Sequence, residues 1–367
     1  MRIQAAVVRQ VNQVRVETVE LDEPKASDVL VRMRAAGICH SDLHNMRGEL
    51  RLTPPFVLGH EGAGVVEAVG SSVTRVKPGD RVLVNWLPAD NTCMTCQSGH
   101  PTQCERLAQT TFQGLLPDGT TRLKTDDGLK LKHLLSSATM SEYIVIDQAG
   151  AIPFADEVPF EVAAILGCAV VTGVGAVVNT ARAQVGDAVA IIGCGGVGLS
   201  AILGCKLVGC FPILAVDVLD NKLEFARQMG ATETINAKQV DVVQKLRELT
   251  RVGPDYIFDM VGSGTTISQA LQAVAPNGAA VVAGLHAAKT DVPIPAGTLV
   301  FQSKRLLGSF AGSMRPQIDV PRLLALYQAG RLPLDALITK RYRLGDIAQA
   351  FHDLEGGTLA RGVISFD

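Results

Sequence analysis

The chain has 367 residues, 47% of them hydrophobic and 19% charged, with a formal net charge of −2. A single hydrophobic core seldom serves that many residues, so two domains are expected. Near-neutral charge argues against the basic face of a nucleic-acid partner and against a polybasic membrane-surface patch.

The opening stretch "MRIQAAVVRQVNQVRVETVEL" alternates apolar and polar residues and carries charges early. It predicts a strand pair rather than a signal peptide, and with it a cytoplasmic chain. "HEGAGVVEAVG", "VKPGDRVLVNW" and "MSEYIVID" are short β-type runs between turn signals, and predict an antiparallel, barrel-like domain. Val162–Ala181 contains no charge and is long enough to suggest a membrane span. Its glycines, threonines and asparagine favour a buried element of a parallel-sheet protein instead, and no membrane partner is expected. From about Thr172 strands alternate with helices: "AVAIIG", "VGLSAILGCKLVG", "PILAVD", "DNKLEFARQMG", "DVVQKLRELT", "DYIFDM", "GAAVVAG" and "KRLLGSF". This alternation predicts an α/β fold with a Rossmann-type doubly wound parallel sheet. After Phe310 "PRLLALYQAG" and "GDIAQAFHDLEGG" are helical patterns.

The strand "AVAII" runs directly into "GCGGVG" and a helix, the setting in which a dinucleotide fingerprint has physical meaning. Gly193 permits the tight turn, Gly195 the approach of a pyrophosphate, and Gly198 close helix–strand packing; Gly196 and Val197 complete the turn. The helix N-terminus offers its free amides to phosphate. Asp217 ends the next strand, nineteen residues beyond Gly198. There a carboxylate can hold ribose hydroxyls and repel a 2′-phosphate, which favours NAD over NADP. Lys222 leaves room for some NADP use.

"AAGICHSDLH" gathers Cys39, His40, Ser41, Asp42 and His44, and "GHEGAG" adds His60 and Glu61. The eight cysteines, with no secretion signal, suggest metal ligands rather than a disulfide framework. "GHE-x-x-G-x-x-x-x-x-G-x-x-V" is matched by Gly59-His60-Glu61, Gly64, Gly70 and Val73, and likeness continues through "GCAVVTGVGAVVNTA" and "GCGGVGLSAILGCKLVG" to "LARGVISF". On these motifs the chain resembles the zinc-dependent alcohol dehydrogenases of the medium-chain dehydrogenase/reductase family.

The resemblance implies a GroES-like antiparallel β-barrel catalytic domain over residues 1–169 and 311–367, a Rossmann coenzyme domain over 170–310, NAD, and two zinc ions per chain. It implies Cys39, His60 and Cys168 as ligands of the catalytic zinc, with the fourth position open. Asp42 would accept a hydrogen bond from His60, and Glu61 would lie behind the metal. Zinc favours the alkoxide of a bound alcohol, which gives its hydride to the nicotinamide. The lost proton would leave through Ser41 and the nicotinamide ribose to His44, since histidines titrate near neutral pH. His40 and Arg361 would meet the coenzyme pyrophosphate, Thr172 the nicotinamide, Lys222 the ribose, and the backbone of Ala283, Gly284 and Leu285 the rest of the coenzyme. The family's substrate pocket falls on Trp86, Leu134 and Leu135, apolar residues that suit an aryl or medium-chain aliphatic alcohol or its aldehyde. A glutathione-dependent formaldehyde dehydrogenase is the main alternative, but Ala108 and Leu50 stand where that branch carries charges. A polyol enzyme usually replaces the second thiolate, here Cys168, by a carboxylate. A non-enzymatic structural role is disfavoured by the retained ligand set. Homodimers or homotetramers are expected by resemblance.

The stretch "DNTCMTCQSGHPTQC" holds Cys93, Cys96 and Cys104, one ligand short of a tetrahedral zinc. Residue spacing alone leaves the fourth open, with His100 inside the loop. The family's register puts it on Asp90 and makes this a structural zinc; an empty or oxidised site is the remaining alternative.

Overall fold

The alternating N-terminal pattern folds as strands Arg2–Gln10 and Gln13–Leu21, paired antiparallel. The structure, a computed structural model, describes residues 1–285, 291–294 and 296–366. It divides into two units, Met1–Cys168 with Arg315–Asp367, and Ala169–Met314. The second division falls four residues later than the expected start of the returning segment at 311. Residues 311–314 pack within the coenzyme unit, where Gly312 O accepts from Asn179 Nδ2 at 3.1 Å and the Ser313 and Thr180 hydroxyls lie 2.9 Å apart.

In the first unit the N-terminal pair closes a barrel with Leu123–Lys124, Lys130–His133 and Phe56–Val57. A seven-stranded sheet is built around Asp28–Ile38, which pairs with Gly62–Val69, Tyr143–Asp147 and Arg361–Ser365. The pairing is antiparallel with two exceptions. Phe56–Val57 runs parallel to Lys130–His133, and Ile338–Tyr342 runs parallel to Arg361–Ser365. Because Asp28–Ile38 is central, its last residues are buried on both faces, and Val29, Val31 and Met33 share a core with Val66, Val82, Val84 and Ile144. The insert between residues 114 and 135 is tied down by a buried cation. Arg122, 1% exposed, pairs with Asp28 at 2.6 Å and Asp118 at 2.8 Å, and its amide donates to His133 Nε2. Pairing is what makes such a burial tolerable.

The second unit is a six-stranded sheet, parallel throughout. Its order is Glu233–Asn236, Ile213–Asp217, Val189–Ile192, Tyr256–Asp259, Ala279–Val282 and Arg305–Gly308. Strand order therefore reverses between Val189–Ile192 and Tyr256–Asp259, the switch point beside which doubly wound sheets bind ligands. Val189–Ile192 and Ile213–Asp217 are buried along their length, as apolar runs under helices on both faces require. The uncharged run from Val162 lies in the helical segment Phe160–Ala181, whose one charge is Glu161; it is long and apolar enough to cross a membrane, yet 89% of its most apolar stretch is buried within the protein. It includes π-helical turns at Leu166–Val170 and Ala176–Ala181.

Candidate active site

Strand Asp28–Ile38 delivers Cys39, which caps helix His40–Met46. The helix brings Asp42 back toward its own start, where Oδ2 accepts from the Cys39 amide at 3.1 Å. Asp42 Oδ1 accepts from the Gly59 amide at 3.2 Å and lies 3.0 Å from His60 Nδ1. A carboxylate only accepts, so the neutral His60 ring carries its hydrogen on Nδ1 and presents the Nε2 lone pair. That Nε2 is fully buried and has no hydrogen-bond partner among the described residues. An orphaned buried acceptor costs about 1–3 kcal/mol, and a metal ion would satisfy it.

Cys168 enters from the π-helical turn Leu166–Val170, an irregularity common at functional sites. Donor atoms of Cys39, His60, Glu61 and Cys168 all lie within 4.8 Å of one another, and all four residues are buried. Two thiols, one imidazole with a fixed tautomer and an adjacent carboxylate form a donor set suited to zinc. The Cys39 thiol is held low by Cys168 and by His60, whereas Cys168 is pushed up by Cys39 and by burial. Burial opposes charging His60, but Asp42 and Cys39 together more than offset this and raise the ring.

Glu61 occupies space that only a glycine leaves: a Cβ on Gly37 would stand 1.9 Å from Glu61 Oε2. Its carboxyl is pushed up to about 7 by burial, against the pull of Arg361. The Arg361 guanidinium, 3% exposed, is hydrogen-bonded to Glu61 Oε2. The arginine expected at the coenzyme pyrophosphate thus also answers a buried carboxylate beside the metal ligands, as a buried glutamate needs a partner, and its Nε has no hydrogen-bond partner among the described residues. Trp86 is buried with its ring 5.9 Å from that of His60, edge-on. Leu134 packs into a cluster with Leu52, Phe56 and Leu58, and Leu135 lies at its margin with φ of 50°. Ser41 and His44 are three residues apart on helix His40–Met46, so they share a face. His40 is exposed, its ring 6.3 Å from that of His44. His44 Nδ1 pairs with Glu49, a partner that no motif indicated.

The three-cysteine loop forms a second group. Donor atoms of Asp90, Cys93, Cys96 and Cys104 lie within 4.8 Å of one another, and His100 is not among them. Asp90 Oδ1 accepts the Thr92 and Cys93 amides at 2.7 and 2.9 Å, which leaves Oδ2 as the oxygen for a metal. Those amides, Cys93 first, hold the carboxyl well below its ordinary range. Burial raises Cys104, and pushes Cys96 up to about 12. A cation among three thiols and a carboxylate reverses that cost by taking all of them ionised.

In the second unit Gly193, with φ of 94°, turns the chain from strand Val189–Ile192 into helix Gly196–Val208. A Cβ on Gly198 would lie 1.9 Å from Gly193 O, whereas one on Gly195 would meet open space. The fingerprint thus packs tightly at its third glycine and leaves room at its second, where phosphate would approach. Asp217 Oδ2 accepts the Cys194 amide at 2.7 Å, and Oδ1 accepts those of Val218 at 2.7 Å and Leu219 at 3.1 Å. These three bonds fix the carboxylate's orientation, and Val218, 47% exposed, offers a 2′-phosphate no charge. Thr172 is buried in helix Val171–Gly175, and Lys222 lies on helix Asp220–Met229. Of the backbone stretch expected at the coenzyme, the Ala283 and Gly284 amides both donate to Asp259 O at 2.9 Å, which ties the end of strand Ala279–Val282 to that of Tyr256–Asp259.

Residues 25–157 match the family description "Alcohol dehydrogenase GroES-like domain", and residues 196–329 match "Zinc-binding dehydrogenase". The chain is 36% identical to S-(hydroxymethyl)glutathione dehydrogenase of Saccharomyces cerevisiae, over 96% of this chain and 93% of the relative. It is similar to the solved structure of benzyl alcohol dehydrogenase from Acinetobacter calcoaceticus at 30% identity and a TM-score of 0.94, covering 100% of both chains. An alcohol dehydrogenase zinc-binding domain protein from Burkholderia ambifaria matches at 34% identity and a TM-score of 0.95, over 100% of this chain and 99% of the other. With both domains matched and relatives aligned along almost its whole length, the chain belongs to the zinc-dependent alcohol dehydrogenases of the medium-chain dehydrogenase/reductase family, an NAD-dependent enzyme with zinc and NAD as cofactors.

Proposed function

We propose that the enzyme oxidises an apolar alcohol, aryl or medium-chain aliphatic, and reduces the corresponding aldehyde or ketone in reverse. The observation that carries this reading is the buried Trp86 ring, edge-on to the metal ligand His60. The other two expected pocket residues, Leu134 and Leu135, belong to the apolar cluster with Leu52, Phe56 and Leu58, and none of the three is charged. Apolar walls gain from burying ring or chain methylenes and offer nothing to a sugar's hydroxyls. The likeness to benzyl alcohol dehydrogenase supports it.

When bound, zinc supplies a Lewis acid that eases ionisation of an alcohol hydroxyl, and NAD supplies the hydride acceptor. Cys39, His60 and Cys168 hold the catalytic metal. Asp42 fixes the His60 tautomer, and Glu61 with Arg361 sets the charge behind the ligands. Ser41 accepts the hydroxyl proton, and His44 delivers it toward solvent. Asp217 and the Gly193–Gly198 turn take the coenzyme, with His40, Thr172, Lys222, Arg361 and the backbone of Ala283, Gly284 and Leu285 as further contacts. Asp90, Cys93, Cys96 and Cys104 hold the second, structural zinc. Eight free cysteines agree with a reducing, cytoplasmic setting. Edge strand Arg305–Gly308, with Leu306 38% exposed and the neighbouring Val300 and Phe301 at 72% and 90%, supports a homo-oligomer that extends the sheet.

A second reading has support from the S-(hydroxymethyl)glutathione dehydrogenase of yeast. Against it, Ala108 and Leu50 supply no charge for a glutathione carboxylate or amine. NAD reduction over benzyl alcohol, 1-hexanol, sorbitol and S-hydroxymethylglutathione separates the two. Benzyl alcohol or hexanol should lead sorbitol and the glutathione adduct in kcat/KM by about 100-fold, a difference of about 2.7 kcal/mol. A lead by the glutathione adduct would replace the first reading with the second.

A further inference from the structure

Helix His40–Met46 ends in a way that decides what stands beside His44. The Glu49 amide donates to His44 O at 3.0 Å, and the Gly48 amide to Asn45 O at 3.0 Å. Gly48 has φ of +71°. Two such bonds around a left-handed glycine are a Schellman stop, in which the residue after the glycine folds back over the last turn. That place commonly carries a hydrophobic contact. Here it carries a carboxylate, and Glu49 Oε2 meets His44 Nδ1. The side chains are 16% and 38% exposed, so the pair sits at the protein's rim. Arg47, on the helix side of Glu49, is engaged with Glu355.

We propose that Glu49 is a positioning residue for the proton outlet, acting through His44. The inference rests on the reading of His44 as that outlet. A neutral imidazole carries one N–H, and a carboxylate can only accept, so Glu49 draws the hydrogen to Nδ1 and puts the lone pair on Nε2. Each alcohol oxidised releases one proton. That proton bonds to Nε2, no electrons are transferred in this step, and the resulting imidazolium is paired with Glu49 until water or buffer removes the proton. Because the backbone stop already places Glu49, little rotamer entropy is lost in holding the ring.

The test uses the zinc-loaded, full-length enzyme with NAD and benzyl alcohol, or 1-hexanol where that turns over faster. Glu49→Gln should lower kcat in dilute buffer by about tenfold, less than a positioned base contributes in full. It should leave the KM for NAD unchanged, and added imidazole should restore the rate. Introduced on top of His44→Gln, it should cost nothing further, since the two act as one unit. In protein labelled with ¹⁵N-histidine, the His44 signal should report a bare Nε2, and the substitution should redistribute the hydrogen between the two nitrogens. If His44→Gln slows turnover while Glu49→Gln does not, or if the two losses multiply, the role of Glu49 is refuted. Unchanged turnover in His44→Gln would remove the outlet reading itself, and this inference with it.

Discussion

Asp42 ties three groups together: the Cys39 amide, the Gly59 amide and His60 Nδ1. It therefore fixes two metal ligands at once without touching the metal. Replacing it by Ala leaves two buried amides unsatisfied and frees the His60 tautomer. Zinc affinity at the buried site should fall about 10- to 100-fold, read by competition with a chelator; unchanged affinity would show that the ligands hold themselves. His133 offers a pH prediction away from the metals. Burial, with the Arg122 charge nearby, pushes its imidazole from 6.5 down to about 3. The folded form stays neutral while the unfolded chain takes up a proton, so stability is lost as pH falls from 6.5 towards about 3. The slope is at most about 1.4 kcal/mol per pH unit. Urea midpoints for the protein and for His133→Gln should converge as pH is lowered from about 7 to about 5.5; a constant gap would refute the assignment. Metal-ligand types and the fingerprint glycines were readable from motifs. The partners of His44, Arg361 and Arg122 were not, because each pairing joins residues that only the fold or a helix stop brings together.

Short elements carry the chemistry. Helix His40–Met46 holds one turn of polar residues against a buried strand end, and the π-helical turn Leu166–Val170 carries Cys168 to the same group. Gly37 in the neighbouring strand makes room for Glu61. Gly37→Ala should cost about 2–4 kcal/mol, because overpacking here meets a buried ion pair; differential scanning calorimetry of the zinc-loaded protein reads this. In the three-cysteine loop, helix Met94–Gln97 is a single turn with no buried residue, so little besides metal holds it. Asp90→Ala should release one zinc per chain on gel filtration and leave alcohol oxidation largely intact, whereas Asp90→Cys should bind that zinc more tightly than the parent. Two zincs retained in Asp90→Ala would exclude Asp90 as a ligand. The order of strands and helices was clear in the sequence through its periodicity. The two parallel pairings in the first unit and the π-helical turns were hidden, since periodicity fixes which face is buried and not the neighbour or the turn.

Across the whole chain, alternation of apolar runs with amphipathic helices is enough to specify the second unit, and its strand order puts the glycine turn at the sheet's reversal point. The first unit is less transparent, because its central strand Asp28–Ile38 draws partners from residues 62–69, 143–147 and 361–365. Pairings that distant leave no local pattern. The same long-range assembly brings Cys39, His60 and Cys168 together, although more than a hundred residues separate the last two. The three closely spaced cysteines, conspicuous in the sequence, form a separate group. Whether chemistry belongs to the dispersed ligands is settled by zinc content and NADH formation measured together in Cys168→Ala. The account predicts that one zinc per chain remains and that turnover falls by about 10³-fold or more, the loss of several kcal/mol of Lewis-acid stabilisation. Parental turnover with a single zinc still bound would contradict it.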